Sequence, residues 1–280
     1  MSSESSGENP YKFSESGRKG IAFSGNGLLQ EAANAELEAC KSRLKALAEK
    51  QTFTAKEIGI MLHGAGINLK SALSALELRW DELVAMKDEG QIITRSFENP
   101  KNQNFAHNIA GFLHDTASSD FGTSIDALLA HKETVFSYMR DNIFTGSELA
   151  GMAHNSGAGF PKTMESFAQE RHAVMAFLRP FHQHASHFGP RCLARAMHNA
   201  GPEFSKKLRV LEENLNKITA LATTKDRAWN LADRMHEESP SQTHSIINYI
   251  AEHANLLDGP RDSAHGNPSG AHQSFPRRRT

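Results

Sequence analysis

Five histidines, His63, His114, His154, His198 and His236, stand in closely similar surroundings: EIGIMLHGAG, NIAGFLHDTA, ELAGMAHNSG, CLARAMHNAG and NLADRMHEES. Imidazole is the side chain best suited to proton transfer near neutral pH, and it is a common zinc ligand. Spacing decides between these roles. From one histidine to the next the steps are 51, 40, 44 and 38 residues. Zinc needs three or four donors converging within a few ångströms, whereas one histidine per stacked unit spreads the donors along an edge. Acyl-transfer or proton-transfer chemistry needs a nucleophile, a base and an orienting acid together, and no segment supplies that set. Each histidine is therefore expected to close the helix before it, where carbonyls lack partners. FHQHASH, with His182, His184 and His187, is denser and reads as a polar loop between units; a metal-dependent enzyme would have to be built there. No catalytic residue, cofactor or metal is expected.

The elements that position these histidines follow from the residues around them. Five residues earlier stands an aliphatic, Ile58, Ile109, Leu149, Leu193 or Leu231, and four earlier a small residue, Gly59, Ala110, Ala150, Ala194 or Ala232. Three residues later comes Gly66, Ala117, Gly157, Gly201 or Ser239, which suits a tight turn. Beyond the turn, apolar residues recur ten, thirteen and twenty positions after the histidine, as in Leu73, Leu76 and Leu83 or Leu208, Leu211 and Ile218. In the second copy Ile125, Leu128 and Val135 come one residue late. Spacings of three and seven place side chains on one helical stripe. Each unit is thus a short helix, a turn and a longer amphipathic helix. Phe53, Phe105, Phe144 and Phe188 precede four of the histidines by nine or ten residues and anchor the lead-in; Trp229 takes that place in the last copy.

One such hairpin has too few apolar residues to offset its own ordering entropy, so neighbours must stack. The expected fold is all-α, a right- or left-handed superhelical solenoid of tandem helix-turn-helix repeats. Its array covers residues 20–258: an opening unit at 20–51 and repeats at 52–90, 104–143, 144–181, 188–224 and 226–258. In the opening unit, from Ser24 onward, Gly27 takes the turn position and Leu37, Leu44 and Leu47 the helical stripe. Residues 1–19 read as a disordered leader rich in Ser, Gly and Glu, and 259–280 as a disordered basic tail.

Composition excludes less. The formal charge is −1, so there is no overall basic excess to hold nucleic acid. Because the leader to Gly20 is balanced and the tail carries four arginines against Asp262, the array itself is net acidic. Cys40 and Cys192 form neither a disulfide framework nor a zinc spacing. No apolar run approaches the ~18 residues needed to cross a bilayer, and no cleavable signal peptide is expected.

The residue after each histidine changes from copy to copy: Gly64, Asp115, Asn155, Asn199 and Glu237. A displayed position that varies on a constant scaffold suits a modular binding surface. With IMLHGAGINLKSALSAL, and HG, HD, HN, HN and HE as successive pairs after SG in the opening unit, the chain resembles the repeats of transcription-activator-like effectors. In that family a short helix ends in His or Asn, a variable residue and two glycines, and a longer helix with an Ala-Leu step follows. The resemblance implies that the five histidines are turn stabilisers bonding back to the preceding helix. It implies that Gly64, Asp115, Asn155, Asn199 and Glu237 face the DNA major groove as base readers. Lys70, Lys162, Lys206 and Lys207, at or near the start of the second helix, would then contact phosphates. It also implies a bacterial effector, either in the bacterial cytoplasm or exported into a host nucleus or cytoplasm. The competing expectation is a protein-binding scaffold without nucleic-acid contact, favoured by the acidic array and irregular loops. Neither a membrane nor a small-molecule substrate is expected as partner.

Overall fold

The computed structural model describes residues 12–23, 29–95, 104–118, 120–183 and 187–258. Residues 1–11, Ser24, Gly25 and Gly27 of the opening unit, His184 and the tail from 259 lie outside them, as do the side chains of His182 and Gln183.

Among the described residues all regular structure is helical, and the helices fall into three rows. The first row is α1 (Glu15–Ile21), α4 (Ala55–Met61), α7 (Phe105–Phe112), α10 (Gly146–Ala153), α13 (Pro190–Ala196) and α16 (Lys225–Arg234). The second is α2 (Gln30–Ala39), α5 (Leu69–Leu78), α8 (Phe121–Ala130), α11 (Phe160–Gln169), α14 (Phe204–Glu213) and α17 (Pro240–Glu252). The third is α3 (Lys41–Glu49), α6 (Trp80–Arg95), α9 (Lys132–Arg140), α12 (Arg171–Gln183) and α15 (Leu215–Leu221). Within the first and second rows each helix packs on the next member of its row.

Local chemistry fixes where the first-row helices begin. Thr54 and Glu57 form a capping box at α4, and Thr145 and Glu148 form one at α10, so backbone donors at each start are satisfied reciprocally. The anchoring phenylalanines precede the caps: Phe53, Phe144 and Phe188 sit one residue before Thr54, Thr145 and Gly189, and each is buried. With Ile58, Leu149 and Leu193 buried five residues later, the spacing is that of a hydrophobic staple. Trp229 does not fill this place in the last copy. It is 37% exposed, and the fully buried Ala222 lies ahead of the Thr224 cap instead.

Two expectations about the units are corrected. The long second helix is two helices in every unit but the last, separated at Cys40, Arg79, His131, Glu170 or Asn214, with φ between −90 and −105° and ψ between 0 and 14°. This single-residue bend lets the residue at offset twenty, such as Leu83, Val135 or Ile218, stay buried on a helix of different direction. Second, residues 15–19 are not leader. Ser14 accepts from the Gly17 N–H and starts α1, whose Ile21 is fully buried and which packs on α4. One cluster of buried side chains runs from Ile21 to Leu257.

The turn after each first-row helix is left-handed twice in three units. Gly64, Asp115, Asn155, Asn199 and Glu237 have φ of 73, 61, 60, 56 and 62°, and Gly66, Gly157 and Gly201 have 51, 50 and 47°. Gly66→Val, at a buried position, is expected to cost about 2 kcal/mol or more, since a β-branched residue is strained there. Asn155→Ala is expected to cost about 1 kcal/mol or less, because alanine meets a milder left-handed penalty at an exposed site. Urea melts of the two variants measure the difference; equal midpoints would show the turn is not the constraint.

Candidate functional site

The five imidazoles form one column. Centroids of successive rings lie 4.6, 4.5, 6.1 and 4.5 Å apart from His63 to His236, with interplanar angles of 15 to 33°. Phe23 extends the column at its start, 6.0 Å from His63. It stands nine residues after the Ser14 cap, as His63 does after Thr54 and His154 after Thr145, so it is the histidine equivalent of the opening unit. The SG pair places the histidine position of the opening unit at Ser24, one residue later; the Ser14 cap fixes it at Phe23.

The rings do not bond back to the helix before them, as the resemblance implied. The His63 Nδ1–H donates to Asp115 Oδ1 at 2.6 Å, and the His154 Nδ1–H donates to Asn199 Oδ1 at 3.1 Å. His198 Nδ1 lies 3.7 Å from Glu237 Oε1. In each case the partner is the variable residue of the next unit. Backbone does the same: the Gly64 N–H donates to Gly20 O and the Asn199 N–H to Gly151 O, each at 3.0 Å. The left-handed turn thus aims an amide at the open carbonyl end of the neighbouring helix. Of the five proposed readers, Asp115 and Asn199 are engaged with rings, Gly64 has no side chain, and Asn155 and Glu237 are exposed.

Asp115 is the electrostatic centre of the upper column. Burial pushes its pKa up, but His114, whose Nδ1 lies 2.8 Å from Oδ2, and the bond from His63 outweigh this and hold it well below the usual carboxylate range. Burial lowers His154 and His198, and it brings His236 down to about 3 with help from Arg195 and His198 nearby.

Two sets, His63/His114/Asp115 and His198/His236/Glu237, each bring three ligand atoms within 4.8 Å of one another. In both the imidazoles are stacked, at 15° and 26°, so their lone pairs run side by side and do not converge on one point as a tetrahedral ion requires. The geometry is that of a carboxylate shared between ring donors. In FHQHASH, the His187 N–H donates to Ala222 O at 3.0 Å, as a loop residue tied to the next unit would.

Three of the four proposed phosphate lysines are exposed: Lys70, Lys162 and Lys206, the last paired with Glu203 at 2.9 Å. The expectation for Lys207 is corrected. It is 1% exposed, and its Nζ donates to Met235 O at 3.0 Å, closing the end of α16 in the next unit. The corresponding positions in other copies, Ala72 and Thr163, are also buried, which marked this as an inward site. Burial pulls the Lys207 pKa down to about 8, against ~10.4 when unfolded. Between these values the unfolded chain binds more protons, so stability is expected to rise from pH 8 to 10. Denaturant midpoints across that range measure the slope; Lys207→Met is expected to flatten it, and an unchanged slope would place the titration elsewhere.

Comparison with protein-family models, curated proteins and solved structures finds no match to this chain.

Proposed function

We propose that the chain is a non-enzymatic binding scaffold, a superhelical solenoid of tandem helical units that grips a partner protein. The observation that carries this reading is the inward use of the variable turn residues: Asp115 and Asn199 bond the preceding histidine, so these side chains serve register between units. The ridge of turns also carries Asp115, Glu237 and Glu238, charges that repel phosphates. Such an array presents continuous concave surface at low contact order, which suits an extended partner. Bacterial origin and export into a host cell accompany this proposal only through the resemblance to effector repeats. Among the described residues, no helix is long and apolar enough to cross a membrane.

A second reading, DNA contact through the turns, is favoured by exposed Asn155 and by Lys70 and Lys162 at the starts of α5 and α11. Affinity capture followed by nuclease treatment separates the two. A stoichiometric protein that survives nuclease supports the scaffold. Recovery of nucleic acid alone, with a mobility shift on random duplex that weakens steeply with salt, would replace it with the DNA reading.

A further inference from the structure

The first-row helices leave one face uncovered. One hollow lies over α1 and α4, lined by Gly17, Gly20 and His63, and a second lies over α7, α10, α13 and α16, lined by Gly111, Gly151 and His198. Because α4 packs on α7, the two hollows follow one another along the row. The space a side chain would take at Gly20 and Gly151 is filled by the rings of His63 and His198, so the histidine column closes the back of both hollows.

The walls are cationic and aromatic. Lys56 borders the first hollow, and His107, Arg191, Arg195 and Trp229 border the second. Among the described residues Lys56, Arg191 and Lys12, which also lines the first hollow, have no carboxylate partner, and all three are exposed. Arg195 is shared with Asp233, whose Oδ1 is 2.8 Å from its Nε. The nearest wall carboxylate, Glu148, is spent on its own capping box, 2.7 Å from the Thr145 N–H. Trp229 is 37% exposed although the other tryptophan, Trp80, is 3% exposed. An exposed indole beside uncompensated cations is an anchor for an apolar group carried on an anionic chain.

Charge and length separate the two kinds of anionic chain. From α4 to α16 there are four helix-to-helix steps of ~8–10 Å, a span filled by roughly eleven extended residues at ~3.3 Å each. A nucleic-acid strand of that span would bring on the order of ten phosphates at one per ~3.4 Å. Along both hollows the face offers three free cations and a half-neutralised fourth, which balance a few carboxylates and not a phosphate run. We infer that this first-helix groove seats an extended acidic peptide segment, with Arg191 and Lys56 taking carboxylates and Trp229 an apolar side chain.

This rests on the scaffold reading above, and the test keeps the two apart. A fluorescein-labelled peptide of four Asp-Leu-Gly triplets is titrated by anisotropy, beside a Lys-Leu-Gly counterpart and an eight-nucleotide single-stranded DNA. The acidic peptide is expected to bind and to shift Trp229 emission. Arg191→Glu and Trp229→Ala, both at exposed positions, are expected to weaken it at least tenfold, and Lys45→Glu on α3 to leave it unchanged. Binding indifferent to Arg191→Glu and Trp229→Ala overturns the groove and leaves the scaffold standing. Equal binding of the lysine peptide, or binding of none of the three probes, also overturns the groove. Binding of the oligonucleotide alone, with the same variant sensitivity, overturns groove and scaffold together.

Discussion

Lowering the pH from 7 to 4 is expected to destabilise the array by on the order of 2–3 kcal/mol through His236 alone, at ~1.4 kcal/mol per pH unit. Burial holds that ring's pKa at about 3, against ~6.5 unfolded, so between those values the unfolded chain binds the proton that the folded chain refuses. His154 and His198 are lowered for the same reason and add to the loss with the same sign. The groups facing His236 explain why it is the extreme case: Arg195, His198 and Lys207 oppose its charge, and Asp233 offsets them only in part. Asp115 also favours neutral pH, but its loss begins only below the usual carboxylate pKa of ~3.9, so the two effects separate along the pH axis. Melting temperatures from pH 7 to 4 measure this, with His236→Gln expected to flatten most of the slope. A melting temperature unchanged down to pH 4.5 would mean the column is open to water and not buried.

The largest loss from a single substitution is expected at Gly90→Val, about 3 kcal/mol, corresponding to a fall of roughly 6–12 °C in melting temperature for a chain of this size. Gly90 lies in α6 where that helix meets α7, and a Cβ there would stand 2.3 Å from Cδ1 of the fully buried Phe105. The ring has little freedom to retreat, since it is fully buried and packs against the Phe136 ring, 5.8 Å away between centroids. Helix propensity works the other way, because valine favours helix over glycine by a few tenths of a kcal/mol, and the clash dominates. Phe105→Leu in the Gly90→Val background is expected to restore part of the loss although it is destabilising alone. Additive losses in that cycle would show the two residues do not meet.

Much of this architecture was readable from the chain. The histidine motif located five first-row helices because their starts and ends depend on short-range chemistry: Thr54 with Glu57, Thr145 with Glu148, and a left-handed residue after the ring. The bends at Arg79, His131, Glu170 and Asn214 were not readable, because none carries the glycine or proline that marks a break. They arise from packing, as each half of the helix turns to bury its own stripe. Lys207 misled because lysine at a helix start suggests solvent, and only comparison with Ala72 and Thr163 betrays the buried position. The pairing of His63, His154 and His198 with the following unit was invisible for a geometric reason. Periodicity identifies the residues that recur, but the direction in which a ring points depends on where the neighbouring unit is placed.

Where an imidazole finds its partner in another unit, that partner comes later in the chain, by 52 residues for His63, 45 for His154 and 39 for His198. During synthesis at ~5–20 residues per second, a newly emerged ring waits roughly 2–10 s before its acceptor leaves the ribosome. Growth of the array is therefore vectorial at these three joints: the non-titrating Phe23 heads the column, and the units bearing Asp115, Asn199 and Glu237 each lock the one before.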